Sequence, residues 1–430
     1  MKSSLILAFL RPSRPPHLTV FVALVGAVLP VCRGGAADEG PRQLQPTIVV
    51  RSSPQTLHIA AVVPKGKMSE PVDAACGLVE IGGSKAEIPT QWVPGTSRAG
   101  AEGQPALAAS IPPRSGVVGP RRFRLAFGRI AGESPSDFRF KEISENSLGL
   151  WDGDKPVLVY NHGVITNEGV PNDDKRRSRA CYIHPVYGLD GEVITDDFPK
   201  DHYHHHGVFW CWPHVGIDGK EYDLWVYNNI GQRFVRWLGR KAGPVAAALG
   251  VENGWFVGER KVMIERVWLR VYKPSGKERS MDLEFTWSPV DRPITLRGAE
   301  GKSYGGLCLR YAPRPEKETL ITVPVGKTTE DLPDTPLSWA DLTAKFPGAP
   351  ALGGAAIFVD PLHPDFPPPW LTRHYGILCV GWPGVKGRTF RPGEPIRLNY
   401  RVWIHEDSVE PAVLQEAFDA YAAGRKVMWE

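Results

Sequence analysis

The sequence predicts an all-β fold: a two-layer β-sandwich with a small N-terminal β-region and a C-terminal helix. Three observations carry this. The 45 glycines and 41 prolines of the 430-residue chain interrupt it at short intervals. Between them lie strand-length runs such as "KPVLVYNHGV", "KVMIERVWLRVY", "SMDLEFTW" and "YGILCVGW", rich in the β-branched and aromatic residues that suit a pleated surface. Several runs alternate. Met281, Leu283, Phe285 and Trp287 share one face of theirs, and Asp282, Glu284 and Thr286 the other, which is the period of a strand. Many short strands with little helix point to a sandwich, with a cupin barrel as the structural alternative because it too carries histidines on strands.

From the N-terminus, residues 1–37 read as a signal peptide. Lys2, Arg11 and Arg14 precede the apolar stretch "LTVFVALVGAVLPVC", and small residues end at Ala37. The expected location is therefore secreted or periplasmic, with no membrane span after cleavage. The segment carries four basic residues and no acidic ones, so its loss leaves Lys+Arg equal to the 47 Asp+Glu. A neutral chain of this kind offers no electrostatic surface to nucleic acid. Residues 38–135 are expected to form the N-terminal β-region, with a loose connection over Ala99–Gly119, and residues 136–406 the main β-domain. Residues 407–430 are expected as a helix. Asp407 and Glu410 have the spacing of a capping box, Val413, Ala417, Phe418 and Tyr421 make an apolar stripe, and Gly424 is a stop. Cys76, Cys181, Cys211, Cys308 and Cys379 are odd in number and widely spaced. That excludes a disulfide framework or zinc ribbon; they read as small buried apolar residues, of which at most a pair bridges.

Three motifs bear on chemistry. "GKSYG", Gly301–Gly305, fits G-x-S-x-G, and Asp360 and His374 follow in hydrolase order. A nucleophile elbow needs a helix after the serine, whereas a β run follows here, so the stretch reads as a glycine-rich hairpin bringing Lys302, Tyr304 and Arg310 to one end of a sheet. The second motif, "DHYHHHGVFWCW" over residues 201–212, places four of the chain's 12 histidines beside an aspartate. Imidazoles this close suppress one another's protonation, and neutral imidazole serves as ligand, hydrogen-bond partner or base. In an extended segment His202, His204 and His206 would share one face. A divalent metal, zinc or iron, would then take His202, His204 and Asp201 as its simplest ligand set. The metal-free reading is preferred, because no distant partner motif completes the shell. Third, tryptophans follow the histidines at 210, 212, 225 and 237. Core packing accounts for most such rings; the rest, beside histidines and acids, suit stacking on sugar rings.

The segment "CYIHPVYGLDGEVITDDFPKDHYHHHGVFW" resembles bacterial methane oxygenase PmoA-like proteins, in which a D-H-x-H-H-x-G signature leads into an aromatic strand. "GKSYGGLCLR" and "RLNYRVWIHED" resemble that family's later strands, and the likeness covers roughly residues 138–408. His206 occupies a position where the family has arginine. The resemblance implies a β-supersandwich similar to galactose mutarotase, in which a histidine and a carboxylate on the concave sheet move protons of a bound sugar. It does not imply methane oxidation, since the expected export and the lack of a spanning segment set the chain apart from a membrane-bound monooxygenase subunit. The function expected is that of a secreted enzyme acting on a saccharide or polysaccharide by epimerisation, elimination or hydrolysis. His204 and His205 would be the acid/base pair with Asp201 orienting an imidazole, and His184, His202, Tyr304, Arg310 and Trp210 would bind substrate. A non-catalytic glycan-binding protein and a metal-dependent, cupin-like enzyme are the alternatives.

Overall fold

A computed structural model describes residues 46–64, 76–95, 104–116, 119–128 and 138–430. The expected signal peptide and part of the Ala99–Gly119 connection lie outside the described residues. The architecture is all-β, built on two nine-stranded antiparallel sheets. Across the first run Thr335–Pro336, Pro369–Arg373, Ile377–Val380, Gly306–Arg310, Val208–Cys211, Tyr182–Val186, Lys155–Asn161, Ser147–Asp152 and Phe138–Ser144. The second is built around the long strands Ala246–Val257, Arg260–Tyr272, Glu278–Pro289 and Ile396–Glu406. The inner faces of the two sheets share one apolar core that includes Trp210, Leu307 and Leu309 from the first and Met281, Leu283, Phe285 and Trp287 from the second. The rings of Trp210 and Phe285 meet 4.9 Å apart. Strand alternation thus places the expected face of "SMDLEFTW" inward, as period-2 patterning requires.

The opposite face of that strand is also covered. Asp282 accepts from Arg401 at 2.6 and 3.0 Å, and Glu284 accepts from Arg425 at 3.0 Å. The cover includes the only α-helix among the described residues, Pro411–Gly424, whose Leu414, Ala417, Phe418 and Tyr421 pack on Trp339, Phe358 and Trp403. The helix corrects the capping-box expectation. Asp407 has a left-handed φ of 62°, Glu410 is the N-cap without a side-chain cap bond, and Pro411 starts the helix. Proline suits the first helical position, where its missing N–H costs nothing, so the helix begins there rather than at Asp407. Val413 is exposed, and Leu414 takes its place on the buried stripe. After the helix, Met428–Trp429 returns as a strand beside Thr47–Arg51, completing a seven-stranded sheet from the N-terminal region. No helix among the described residues is long and apolar enough to cross a membrane.

Candidate functional site

The histidine run lies at the entry to Val208–Cys211, a strand in the middle of the first sheet. It is not extended. His202 N–H donates to Pro199 O at 2.9 Å and His205 N–H to His202 O at 2.9 Å, so successive turns carry the chain from Pro199 to His205. This corrects the expected grouping of His202, His204 and His206 on one face. In a turn, residues three apart are neighbours. The rings of His202 and His205 therefore stack at 4.6 Å and 3°, while His204 meets His205 edge-on at 4.6 Å. His206 turns the other way and its Nδ1 lies 2.7 Å from Asp197 Oδ1.

Gly207 makes the turn-to-strand transition. It has φ 26°, donates to Asp196 O at 2.7 Å and accepts from Arg310 N–H at 2.8 Å. A Cβ there would lie 2.1 Å from the backbone oxygen of Ile183. Gly207→Ala is expected to cost about 3 kcal/mol, from backbone strain and a clash that no rotamer relieves. Gly219→Ala, at φ 74° with open space around its Cβ, should cost about 1 kcal/mol by conformation alone. Urea unfolding of both variants checks the difference, and equal losses would refute the steric account.

The remaining members of the site come from far along the chain. Arg310, at the end of Gly306–Arg310 and 6% exposed, donates through Nη2 to both oxygens of Asp201, at 3.0 and 3.2 Å. Asp201 Oδ2 in turn lies 2.8 Å from His202 Nδ1. Tyr375, in the turn between Pro369–Arg373 and Ile377–Val380, stacks on His202 at 5.0 Å and 7° and lies 5.0 Å under the Arg310 guanidinium. Trp225 closes another side, 6.1 Å from His204 and 6.0 Å from His205. Four buried donor or acceptor atoms here have no hydrogen-bond partner: Nδ1 of His204, Nδ1 of His205, and Nε and Nη1 of Arg310. Orphaned polar atoms are uncommon inside a protein, and here several are gathered in one place.

Burial sets the electrostatics. It pushes the His204 imidazole down to about 3, with the charges of His202 and Arg176 adding to the effect. It pushes His205 well below the usual range, helped by His204, His202 and Arg310. Burial opposes ionisation of Asp201, but the bond with His202 and the charge of Arg310 outweigh it and hold the carboxyl below its ordinary value. Behind the run, burial raises Asp197 to about 6, against the charge of His184 and a bond from Tyr182. Burial likewise holds its partner His206 well below the usual range, so the pair is a neutral imidazole donating Nδ1–H to a carboxylate.

The structure brings Asp201, His202, His204, His205 and Arg310 together. It separates the others. Trp210 is fully buried on the inner face of the sheet, which corrects its expected contact with substrate: strand alternation sends Phe209 outward and Trp210 into the core. Tyr304 and Arg310 flank the same strand at opposite ends, so the expected convergence of Lys302, Tyr304 and Arg310 does not form; Tyr304 reaches the site only through Trp225, 4.6 Å away. His184 lies 3.0 Å from Thr195 Oγ1 and belongs with the Asp197–His206 pair. Ser303 is buried against Asp334, while His374 pairs with Asp331 and Asp360 with Arg425, so no serine triad assembles. Among the described residues no group of three or more His, Cys, Asp or Glu is arranged to hold a metal ion, because Asp201 turns its carboxylate to Arg310 and His202. Tyr375 was not marked by any sequence signal; a lone tyrosine in an "RHYG" turn says nothing about which ring it meets.

No curated protein matches the chain. Among solved structures it is similar to a putative kojibiose phosphorylase from human microbiome, at 9% identity and a TM-score of 0.30, over 66% of this chain and 34% of that one. The chain thus spans about a third of the length of that protein. A family model described as "Family of unknown function (DUF6807)" matches residues 148–419, a span that holds the histidine run, Arg310 and Tyr375. The match is to a domain of unknown function and gives no support to the PmoA-like name expected from the histidine signature. The chain belongs to the DUF6807 family.

Proposed function

We propose that the protein is an exported, carbohydrate-active enzyme in which His202, held by Asp201, moves a proton of a bound saccharide. The observation that carries this is the Asp201–His202 pair at 2.8 Å, clamped by Arg310 and partly open to solvent. A carboxylate on Nδ1 keeps that proton in place and leaves Nε2 to exchange one with substrate. His204 and His205 are too weak as bases for that task once burial holds them neutral. Their orphaned Nδ1 atoms and Arg310 Nη1 instead meet hydroxyl groups, the ring of Trp225 borders a sugar ring, and Tyr375 holds His202 and Arg310 in place. The proton transfer expected of His204 and His205 thus falls to their neighbour His202, and the two act as binding groups. The preferred account is metal-free, and export follows from the N-terminal segment.

The test is mass spectrometry of products from a glycan panel, in which an unsaturated sugar, an isomer and a hydrolysis product differ in mass or mobility. His202→Asn is expected to lower turnover at least about 100-fold while leaving binding within about threefold. A panel in which glycans bind and none is turned over by the native protein would favour the binding-only reading, which the weak basicity of His204 and His205 also suits.

A further inference from the structure

Beneath the site the first sheet sets two cysteines opposite one another. Cys308 in Gly306–Arg310 pairs with Cys379 in Ile377–Val380, 71 residues apart in sequence, and both are fully buried free thiols. The hydrogen-bond phase of the ladder fixes what kind of pair this is. Tyr311 N–H donates across to Gly376 O, whereas Arg310 N–H donates the other way, to Gly207 O. In an antiparallel ladder the two kinds of pair alternate. Arg310 and Ile377 are thus a non-hydrogen-bonded pair, and so, two residues on, are Cys308 and Cys379. Residues in such pairs have Cα atoms about 4.5 Å apart with their side chains on one face, inside the range of about 4.4–6.8 Å that a disulfide spans. The sulfurs already lie 2.6 Å apart.

We propose that Cys308 and Cys379 form a cross-strand disulfide when the protein folds in an oxidising compartment, tying together the strands that present Arg310 and Tyr375. The bond forms by thiol–disulfide exchange. One thiolate attacks a sulfur of an oxidised dithiol oxidoreductase, forming a mixed disulfide and releasing one thiol. The second cysteine then attacks the first, closing the S–S bond and releasing the other thiol. Two cysteine thiols lose two electrons and two protons, and the oxidant's disulfide gains them. Because both sulfurs are buried in the folded chain, exchange takes place before the two strands are covered.

The experiment uses the full chain directed to a bacterial periplasm and, separately, made in a reducing cytosol. Soluble protein from each is denatured, alkylated without reductant, and mapped by peptide mass spectrometry. Periplasmic protein should yield a cross-linked pair of peptides holding Cys308 and Cys379, lost on reduction, while Cys76, Cys181 and Cys211 are alkylated directly. Cytosolic protein should be alkylated at every cysteine of the chain, Cys308 and Cys379 included. Full alkylation of Cys308 and Cys379 in the soluble periplasmic protein, or a link from either to Cys211, would overturn the proposal. Neither result depends on whether a glycan is turned over.

Discussion

Replacing Glu265 by leucine is expected to remove on the order of 5 kcal/mol of folding free energy, comparable with the whole stability of a typical domain. Glu265 is completely buried. Its Oε2 accepts from the indole N–H of Trp255 and of Trp287, each at 2.8 Å, and from Gln232 Nε2 at 3.0 Å; its Oε1 accepts from Asn253 Nδ2 at 2.9 Å. Gln232 Oε1 in turn accepts from Arg179 Nη2 at 3.1 Å. One carboxylate therefore satisfies donors on four residues between the sheets. Leucine fills the volume but takes from the two indole N–H groups the acceptor they share, at about 1–3 kcal/mol apiece, while Asn253 Nδ2 keeps Tyr160 Oη at 3.0 Å and Gln232 Nε2 keeps Trp210 O at 3.4 Å. Glu265→Gln should cost less, about 3 kcal/mol, since one oxygen still accepts while the amide nitrogen faces N–H groups it cannot accept from. Urea unfolding of both variants measures the losses, and a leucine variant within about 1 kcal/mol of the native protein would show that the network does not stabilise the fold.

Acid should unfold this protein from the histidine range downward. His205 and His206 are 3% and 1% exposed, and burial keeps both imidazoles well below their ordinary range. Unfolded, each takes a proton near pH 6.5; folded, neither does until far lower. Between those limits the unfolded chain binds more protons, so stability falls as pH falls, by about 1.4 kcal/mol per pH unit for each ring. His204, held down to about 3, by itself costs about 1.6 kcal/mol between pH 6.5 and pH 5, and His205 and His206 add to this in the same direction. Buried carboxyls act in the opposite sense, Glu192, Asp196 and Asp223 among them, each raised by burial. Asp197 is raised to about 6, so the folded chain gains a proton there before the unfolded chain does. For His405, burial is outweighed by its bond with Asp341, which raises it and retains its proton. Asp197 offsets about 1 kcal/mol between pH 6 and pH 5, less than the buried imidazoles lose, so the net change is still a loss. Unfolding midpoints in urea across pH 7.5 to 5 test this; a flat or rising profile would mean that the imidazoles are charged inside the fold.

Much of the architecture could be read locally. Strand runs bounded by glycine and proline, and the alternation of "SMDLEFTW", depend on neighbours along the chain and appear in the structure where the pattern places them. The same holds for the stripe of the C-terminal helix, although its start moved because Pro411 overrode the Asp407 cap. Within the histidine run, the reading failed at the step from composition to conformation. An extended segment and a string of turns have the same residues, and only backbone bonds from His202 to Pro199 and from His205 to His202 show which one forms.

The sequence by itself determined that the chain is β-rich and that its densest cluster of imidazoles opens a strand, because turn chemistry and period-2 patterning act over a few residues. It could not choose partners. Asp201 meets Arg310 across 109 residues, and His202 meets Tyr375 from a turn on another strand, because strand order placed Gly306–Arg310 and Ile377–Val380 beside Val208–Cys211. Strand order is settled by burying one apolar face of each sheet against the other, a sum over the whole chain that no short stretch contains. The same packing sent Trp210 to the core, gathered four donors around Glu265, and left the imidazoles beside Arg310 neutral and part-satisfied.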